Sequence, residues 1–179
     1  MQACYRGLVE RGIRNIAISG DSAGGNLALV VLSLATTFGG QIPVGAPVLS
    51  PVTDLALTGE RFETRSEADP YFVRAQIEGL VRSYLGDTDP KNPLASPLYG
   101  NLAGLPPVSI HVGDDEVLLD DSRRYFERAV AAGVDAKLGI WEGMPHGFVG
   151  SVGQLAAAAK ALDAVGEFLA QRLDAAAGI

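Results

Sequence analysis

The heptapeptide GDSAGGN, residues 20–26, lies between a short apolar run at residues 16–19 and a longer one at residues 27–35. This order predicts a strand, a sharp turn and a helix. A serine on such a turn has its hydroxyl pushed out above the sheet, and small residues must flank it because the backbone is strained. We expect Gly20 and Gly24 to supply that room. Ser22 then lies at a helix N-terminus, where the Ala23 N–H can stabilise negative charge on a carbonyl oxygen under attack.

The G-x-S-x-G pattern is weak evidence by itself in a chain with 22 glycines, so its surroundings decide how it is interpreted. A GDS triplet also occurs in trypsin-like proteases, but there the histidine and the acid precede the serine. Here both histidines follow Ser22. The turn also lacks the G-x-G-x-x-G spacing and the GK[ST] ending of phosphate-binding loops, and Asp21 would repel an anion. The order serine, acid, histidine favours an α/β-hydrolase arrangement.

A serine hydroxyl needs a base to take its proton, and the neutral imidazole of a histidine does this best near pH 7. His111 lies inside the apolar run VSIHVG, which favours a packed strand histidine. His146 lies in the loop sequence GMPHGF after the last predicted strand, at the edge where functional loops gather. We therefore predict that His146 is the base.

The base in turn needs a carboxylate to orient it, and the segment GDDEVLLDD, residues 113–121, holds five acids in nine residues. Asp120 and Asp121 stand at the start of a predicted helix, which favours a capping role. Asp114, Asp115 and Glu116 remain as candidates. The chemistry of the sequence alone leaves these three open.

Composition narrows the class of protein. The 179 residues are 47% hydrophobic, which predicts one globular domain with a substantial core. The net charge of −7 and the isoelectric point near 4.7 argue against nucleic acid and anionic membranes as partners. The single cysteine, Cys4, excludes an intrachain disulfide, and no ligand spacing indicates a metal or cofactor. Without a signal pattern or a membrane-spanning stretch, we expect a cytoplasmic protein.

Short apolar runs bounded by Gly, Pro or Asp predict four strands, and their apolar character on both faces indicates a mostly parallel sheet flanked by helices. The predicted strands are residues 16–19, 44–49, 108–112 and 136–141. Helical periodicity predicts four helices. They run from Ser22 to Gly39, from Asp69 and Pro70 to Gly86, over residues 122–132 and over residues 155–173.

Several longer pieces resemble the hormone-sensitive-lipase-like branch of the serine esterases, the bacterial family IV of the α/β-hydrolase superfamily. They cover the chain almost from end to end, and they are GDSAGGN, SPVTDL from Ser50, the DPY and YLG pieces, ASPL from Ala95, LAGLPP from Leu102, GDDEVLLDDS from Gly113 and WEGMPHGF from Trp141. The resemblance implies that Ser22 is the nucleophile, Glu116 the orienting acid and His146 the general base. Asp115 is the alternative acid. It also implies hydrolysis of carboxylic esters of short acyl chains through an acyl-enzyme.

The resemblance also implies parts that this sequence lacks. Members of that family carry four further strands, part of a helical cap and an HGGG loop before the nucleophile strand. We therefore interpret residues 1–179 as a single α/β-hydrolase catalytic domain, the C-terminal portion, without those parts. Because the HGGG loop supplies oxyanion-hole donors, we expect this form to be impaired. We also expect its exposed sheet edges to favour homo-oligomers. The alternative is a catalytically silent hydrolase-like fragment that acts as a binding or oligomerisation module.

Overall fold

The structure, a computed structural model, describes residues 2–65, 69 and 74–178. Its sheet has four parallel strands in the order β1-β2-β3-β4, which are Gly20–Asp21, Ala46–Leu49, Val108–Gly113 and Ala136–Trp141. β2 and β3 are buried along their whole length, as expected of parallel strands covered on both faces. The predicted fold class, a partial α/β-hydrolase fold with about four parallel strands, is confirmed.

The first predicted strand differs from the observed one. Residues 16–19 contribute an isolated bridge between Ala17 and Gly45. The regular pairing of β1 with β2 begins after them, at Gly20 and Asp21. Ile16 is buried and Ile18 packs against the core, so the apolar run marks a segment that approaches the sheet. Hydrophobicity alone did not reveal where its ladder becomes regular.

Helices cover both faces of the sheet, and their bounds are α1 Gln2–Glu10, α2 Ala23–Phe38, α3 Arg61–Thr64, α4 Arg74–Leu85, α5 Leu119–Ala131 and α6 Ala156–Ala177. α2 and α5 share a core with Ala46 and Val48 of β2, whereas α6 packs with Leu49 on the opposite face. Successive strand residues point to opposite faces, so one short strand serves both layers.

The two middle helices only partly match expectation. The predicted helix start at Pro70 lies outside the described residues, and the described part of that helix is α4. Asp69 is buried, and its carboxylate accepts a hydrogen bond from the Val117 N–H. In α5, the predicted capping role of Asp120 and Asp121 is wrong: Leu118 holds the N-cap position, and both acids lie within the first helical turn.

The topology brings the carboxyl ends of all four strands to one edge. Ser22 follows β1, Ser50 follows β2, Glu116 follows β3 and His146 follows β4. Loops at this edge are where α/β sheets form their sites. Within residues 2–65, 69 and 74–178, no helix is long and apolar enough to cross a membrane.

Candidate active site

Ser22 occupies a strained backbone conformation between β1 and α2. Its φ of 56° and ψ of −118° lie outside the common regions for a residue with a side chain. The Ser22 N–H donates to the Leu49 carbonyl at 2.8 Å, and the Ser22 carbonyl accepts from Asn26 at 3.1 Å and from Val52 at 3.3 Å. These bonds hold the turn in a conformation that typically costs about 1–3 kcal/mol.

The glycines of the turn at which a side chain would clash are not the pair that we predicted. A Cβ on Gly20 would lie 2.2 Å from the Gly24 carbonyl oxygen, so only glycine fits there. A Cβ on Gly24 would meet nothing within 4 Å, which makes the predicted steric need at that position wrong. The second tight position is Gly25, whose Cβ would lie 2.9 Å from the Pro51 Cβ. This distinction cannot be read from the local sequence, because Pro51 lies in the turn after β2.

His146 lies between Ser22 and Glu116. Its Nε2 is 3.0 Å from the Ser22 Oγ, and its Nδ1 is 2.8 Å from the Glu116 Oε2. Only 8% of His146 is exposed, and Glu116 is completely buried. With Nδ1–H donating to the carboxylate, the neutral ring presents Nε2 as an acceptor to the serine hydroxyl.

The loop that carries His146 packs against the end of β3. A Cβ on Gly113 would lie only 1.9 Å from the Met144 carbonyl oxygen, so the loop crosses where a side chain would stand. The Asp115 N–H donates to that same oxygen at 3.3 Å, and the Asp114 carboxylate accepts from the Gly143 N–H at 2.6 Å. The acidic segment thus fixes the histidine loop through its backbone as well as its side chains.

The candidate acids face different surroundings. Glu116 points to His146, and its second oxygen accepts from the Ser50 Oγ at 2.6 Å and from the Gly113 N–H at 2.7 Å. Asp115 instead points to solvent and pairs with Arg65 at 3.4 Å. Of the two acids that the family resemblance offered, Glu116 is therefore the one in contact with the imidazole.

The other predicted histidine role agrees with the geometry. His111 lies in β3 and is 6% exposed, with Nε2 3.2 Å from the Ser109 Oγ. The Trp141 Nε1–H donates to its Nδ1 at 3.3 Å. Burial lowers the pKa of His111, which favours a neutral packed ring.

Asp121 is a buried structural carboxylate and not the predicted helix cap. It is completely buried, and its Oδ2 accepts the N–H groups of Thr53 at 2.7 Å and Asp54 at 2.9 Å. Burial raises the pKa of Asp121 to about 7, although these two bonds and Arg124 favour its charged form. The turn after β2 is thereby tied to α5. No sequence signal separates a capping acid from one that bonds a distant turn.

An apolar cavity of about 320 Å³ opens beside Ser22 between α2, α4 and the turn after β2. Its lining is almost wholly apolar and consists of Ser22, Ala23, Asn26, Leu27, Val52, Leu55, Ile77, Leu80, Val81, Tyr84 and Leu118. Ala23 is the first residue of α2, and N–H groups in the first turn of a helix have no acceptor within that helix. The site therefore combines a hydroxyl, an imidazole, an N-terminal N–H and an apolar recess.

Known proteins share the fold on which this site is built. A family model described as the alpha/beta hydrolase fold matches residues 6–150. The chain belongs to the α/β-hydrolase family. Its structure superposes on that of an esterase from the bacterial hormone-sensitive lipase family with a TM-score of 0.92 and 41% identity, covering 96% of this chain and 58% of the other. A hormone-sensitive lipase from a metagenome library gives a TM-score of 0.91 and 37% identity, with coverage of 96% and 59%.

Two sequence relatives of this α/β-hydrolase are named as an acetyl-hydrolase and an esterase. An acetyl-hydrolase of Streptomyces hygroscopicus is 39% identical over 146 residues, covering 80% of this chain and 49% of the relative. An esterase of Acinetobacter venetianus is 37% identical over 147 residues, with coverage of 80% and 48%. The chain thus spans about half the length of the curated relatives it matches. The resemblance to hormone-sensitive-lipase-like serine esterases is confirmed.

Proposed function

We propose that this α/β-hydrolase cleaves carboxylic esters through Ser22, His146 and Glu116. The observation that carries the proposal is the line of hydrogen bonds from the Ser22 hydroxyl to the imidazole at 3.0 Å and from the imidazole to the buried carboxylate at 2.8 Å. A hydroxyl, a base and an orienting acid in contact form the arrangement that activates a serine nucleophile.

In the first half of the proposed reaction, the Ser22 Oγ attacks the ester carbonyl and gives its proton to His146 Nε2. The Ala23 N–H donates to the oxyanion, and the helix N-terminus favours the same charge. The imidazolium, stabilised by Glu116, then protonates the departing alcohol. The serine is left esterified with the acyl group.

In the second half, His146 takes a proton from a water molecule, which attacks the acyl-enzyme. Collapse of the second tetrahedral intermediate releases the carboxylic acid and returns the proton to Ser22. The apolar cavity beside Ser22 suits a hydrocarbon portion of the ester and offers few groups to an ionic one. We propose esters of short acyl chains, in line with the relative named an acetyl-hydrolase.

A fluorophosphonate probe tests this function directly, because it reacts only with a serine whose base and oxyanion donors are assembled. We expect a single adduct, mapped to Ser22 by mass spectrometry, and ester hydrolysis that Ser22→Ala abolishes.

The matched control is Ser19→Ala, which removes a nearby hydroxyl that donates to the Pro47 carbonyl at 2.8 Å. This variant keeps both labelling and turnover. A well-folded wild-type protein that neither labels nor turns over esters would favour a silent binding module instead.

A further inference from the structure

Ser50 has a backbone conformation that a residue with a side chain rarely adopts. Its φ is 42°, and it is 1% exposed at the end of β2. Glycine would adopt this left-handed conformation without steric cost. A buried serine at such a position indicates that its side chain compensates for the strain.

The side chain of Ser50 forms its hydrogen bond with the Glu116 carboxylate. The Ser50 Oγ donates to the Glu116 Oε1 at 2.6 Å, and the Gly113 N–H donates to the same oxygen at 2.7 Å. The other oxygen, Oε2, lies 2.8 Å from His146 Nδ1. Two donors on one oxygen fix the rotation of the carboxylate and thereby the direction in which Oε2 faces.

The backbone around Ser50 is tied to the rest of the site. The Ser50 N–H donates to the His111 carbonyl at 2.7 Å, which fixes the residue against β3. Two residues later, the Val52 N–H donates to the Ser22 carbonyl at 3.3 Å, and the Val52 carbonyl accepts from Asn26 Nδ2 at 2.8 Å. The donor to Glu116 is therefore held in register with the turn that carries Ser22.

We propose that Ser50 is a positioning residue for the hydrolysis proposed above, on which this inference rests. Its hydroxyl donates to Glu116 Oε1, so its effect on His146 is exerted through that carboxylate. It holds the Glu116 carboxylate so that Oε2 meets His146 Nδ1, and the strained turn after β2 is the means by which its hydroxyl reaches that carboxylate.

The test compares Ser50→Ala with Ser50→Gly. Both variants remove the hydroxyl, but only the glycine variant relieves the backbone strain. Because a hydrogen bond to a charged group is lost in each, we expect kcat to fall about tenfold to a hundredfold in both, with KM within about twofold of wild type. If Ser50 served the backbone alone, Ser50→Gly would keep the wild-type kcat.

A spectroscopic readout tests the positioning without turnover. The proton between His146 Nδ1 and Glu116 gives a far-downfield NMR resonance when the bond is short and shielded from water. We expect the two Ser50 variants to broaden or move it. The matched control is Ser109→Ala, which removes another buried serine hydroxyl, the one beside His111, and leaves the resonance in place.

The outcomes separate the two proposals. A wild-type protein that shows the resonance but does not react with a fluorophosphonate contradicts the proposed function. A reactive wild type whose Ser50→Gly variant keeps both its kcat and its resonance overturns the inference about Ser50. The glycine variant decides the matter even if Ser50→Ala fails to fold.

Discussion

The two histidines of the chain are a natural comparison within one molecule. His111 and His146 are 6% and 8% exposed, and both ring nitrogens of each lie within hydrogen-bond distance of a partner. The partners differ: His111 lies between a serine hydroxyl and an indole N–H, and His146 between a serine hydroxyl and a buried carboxylate. Burial and satisfied hydrogen bonds are thus common to a packed histidine and to a candidate base. The difference is the carboxylate, which stabilises an imidazolium.

Replacement of the two imidazole rings should separate His146 from His111 most strongly. We expect His146→Ala to lower kcat/KM for a short-chain p-nitrophenyl ester by about 10⁴-fold or more, because it removes the imidazole that is proposed to accept the Ser22 proton. His111→Gln, which keeps polar atoms in the strand, should stay within about threefold of wild type. Equal losses in the two variants would remove the distinction drawn between the histidines.

Replacement of the carboxylate should reduce turnover slightly less than loss of the imidazole. Glu116→Gln preserves the shape of the side chain but presents the imidazole with an amide, so we expect kcat to fall about 10³-fold to 10⁴-fold. Asp115→Asn is the matched control one residue away, and its exposed side chain pairs with Arg65. It should change kcat by about twofold or less. A large loss in the Asp115 variant would transfer the orienting role to it.

Each histidine also has a glycine packed close to it or to its loop, Gly113 at the His146 loop and Gly139 at His111. Gly113→Ala puts a Cβ 1.9 Å from the Met144 carbonyl in the His146 loop, so we expect slower fluorophosphonate labelling as well as lower stability. Gly139→Ala puts a Cβ 2.8 Å from His111 Nδ1. We expect it to destabilise the fold by roughly 1–3 kcal/mol in urea unfolding while labelling at Ser22 continues. Unimpaired labelling in the Gly113 variant would contradict the tight packing of the loop.

The smallest expected effect concerns pH and His111. Burial lowers the pKa of His111 below its ordinary value of 6.5, so the unfolded chain takes up a proton at a higher pH than the folded one. The contribution of neutral His111 to the free energy of unfolding is therefore fully present above about pH 6.5. It is lost as the pH falls toward the pKa of His111 in the folded state. We expect the free energy of unfolding to drop less between about pH 7.5 and about pH 5 in His111→Gln than in wild type. Parallel pH curves would show that His111 contributes no such dependence.

Much of the architecture was predictable because it depends on local chemistry. Alternating apolar and helical segments predicted the parallel sheet, and three of the four strands lie within two residues of their predicted bounds. The capping roles of Asp120 and Asp121 were predicted wrongly, since their partners are distant in the sequence. Asp120 accepts from the Arg61 N–H, and Asp121 from the turn after β2. Position at a helix start does not reveal such partners.

The turn at Ser22 was predictable from a short stretch of residues, because glycine spacing and the change from strand to helix are local properties. The sequence also indicated His146 over His111, because one lies in a loop and the other within a strand. Long-range packing, in contrast, sets which carboxylate contacts His146 and brings the Ser50 hydroxyl after β2 to the other oxygen of that carboxylate. Neighbouring residues of a loop, such as Asp115 and Glu116, have the same chemistry but point in different directions. Those directions arise from the packing of β3 against the ends of β2 and β4, which no short stretch of sequence encodes.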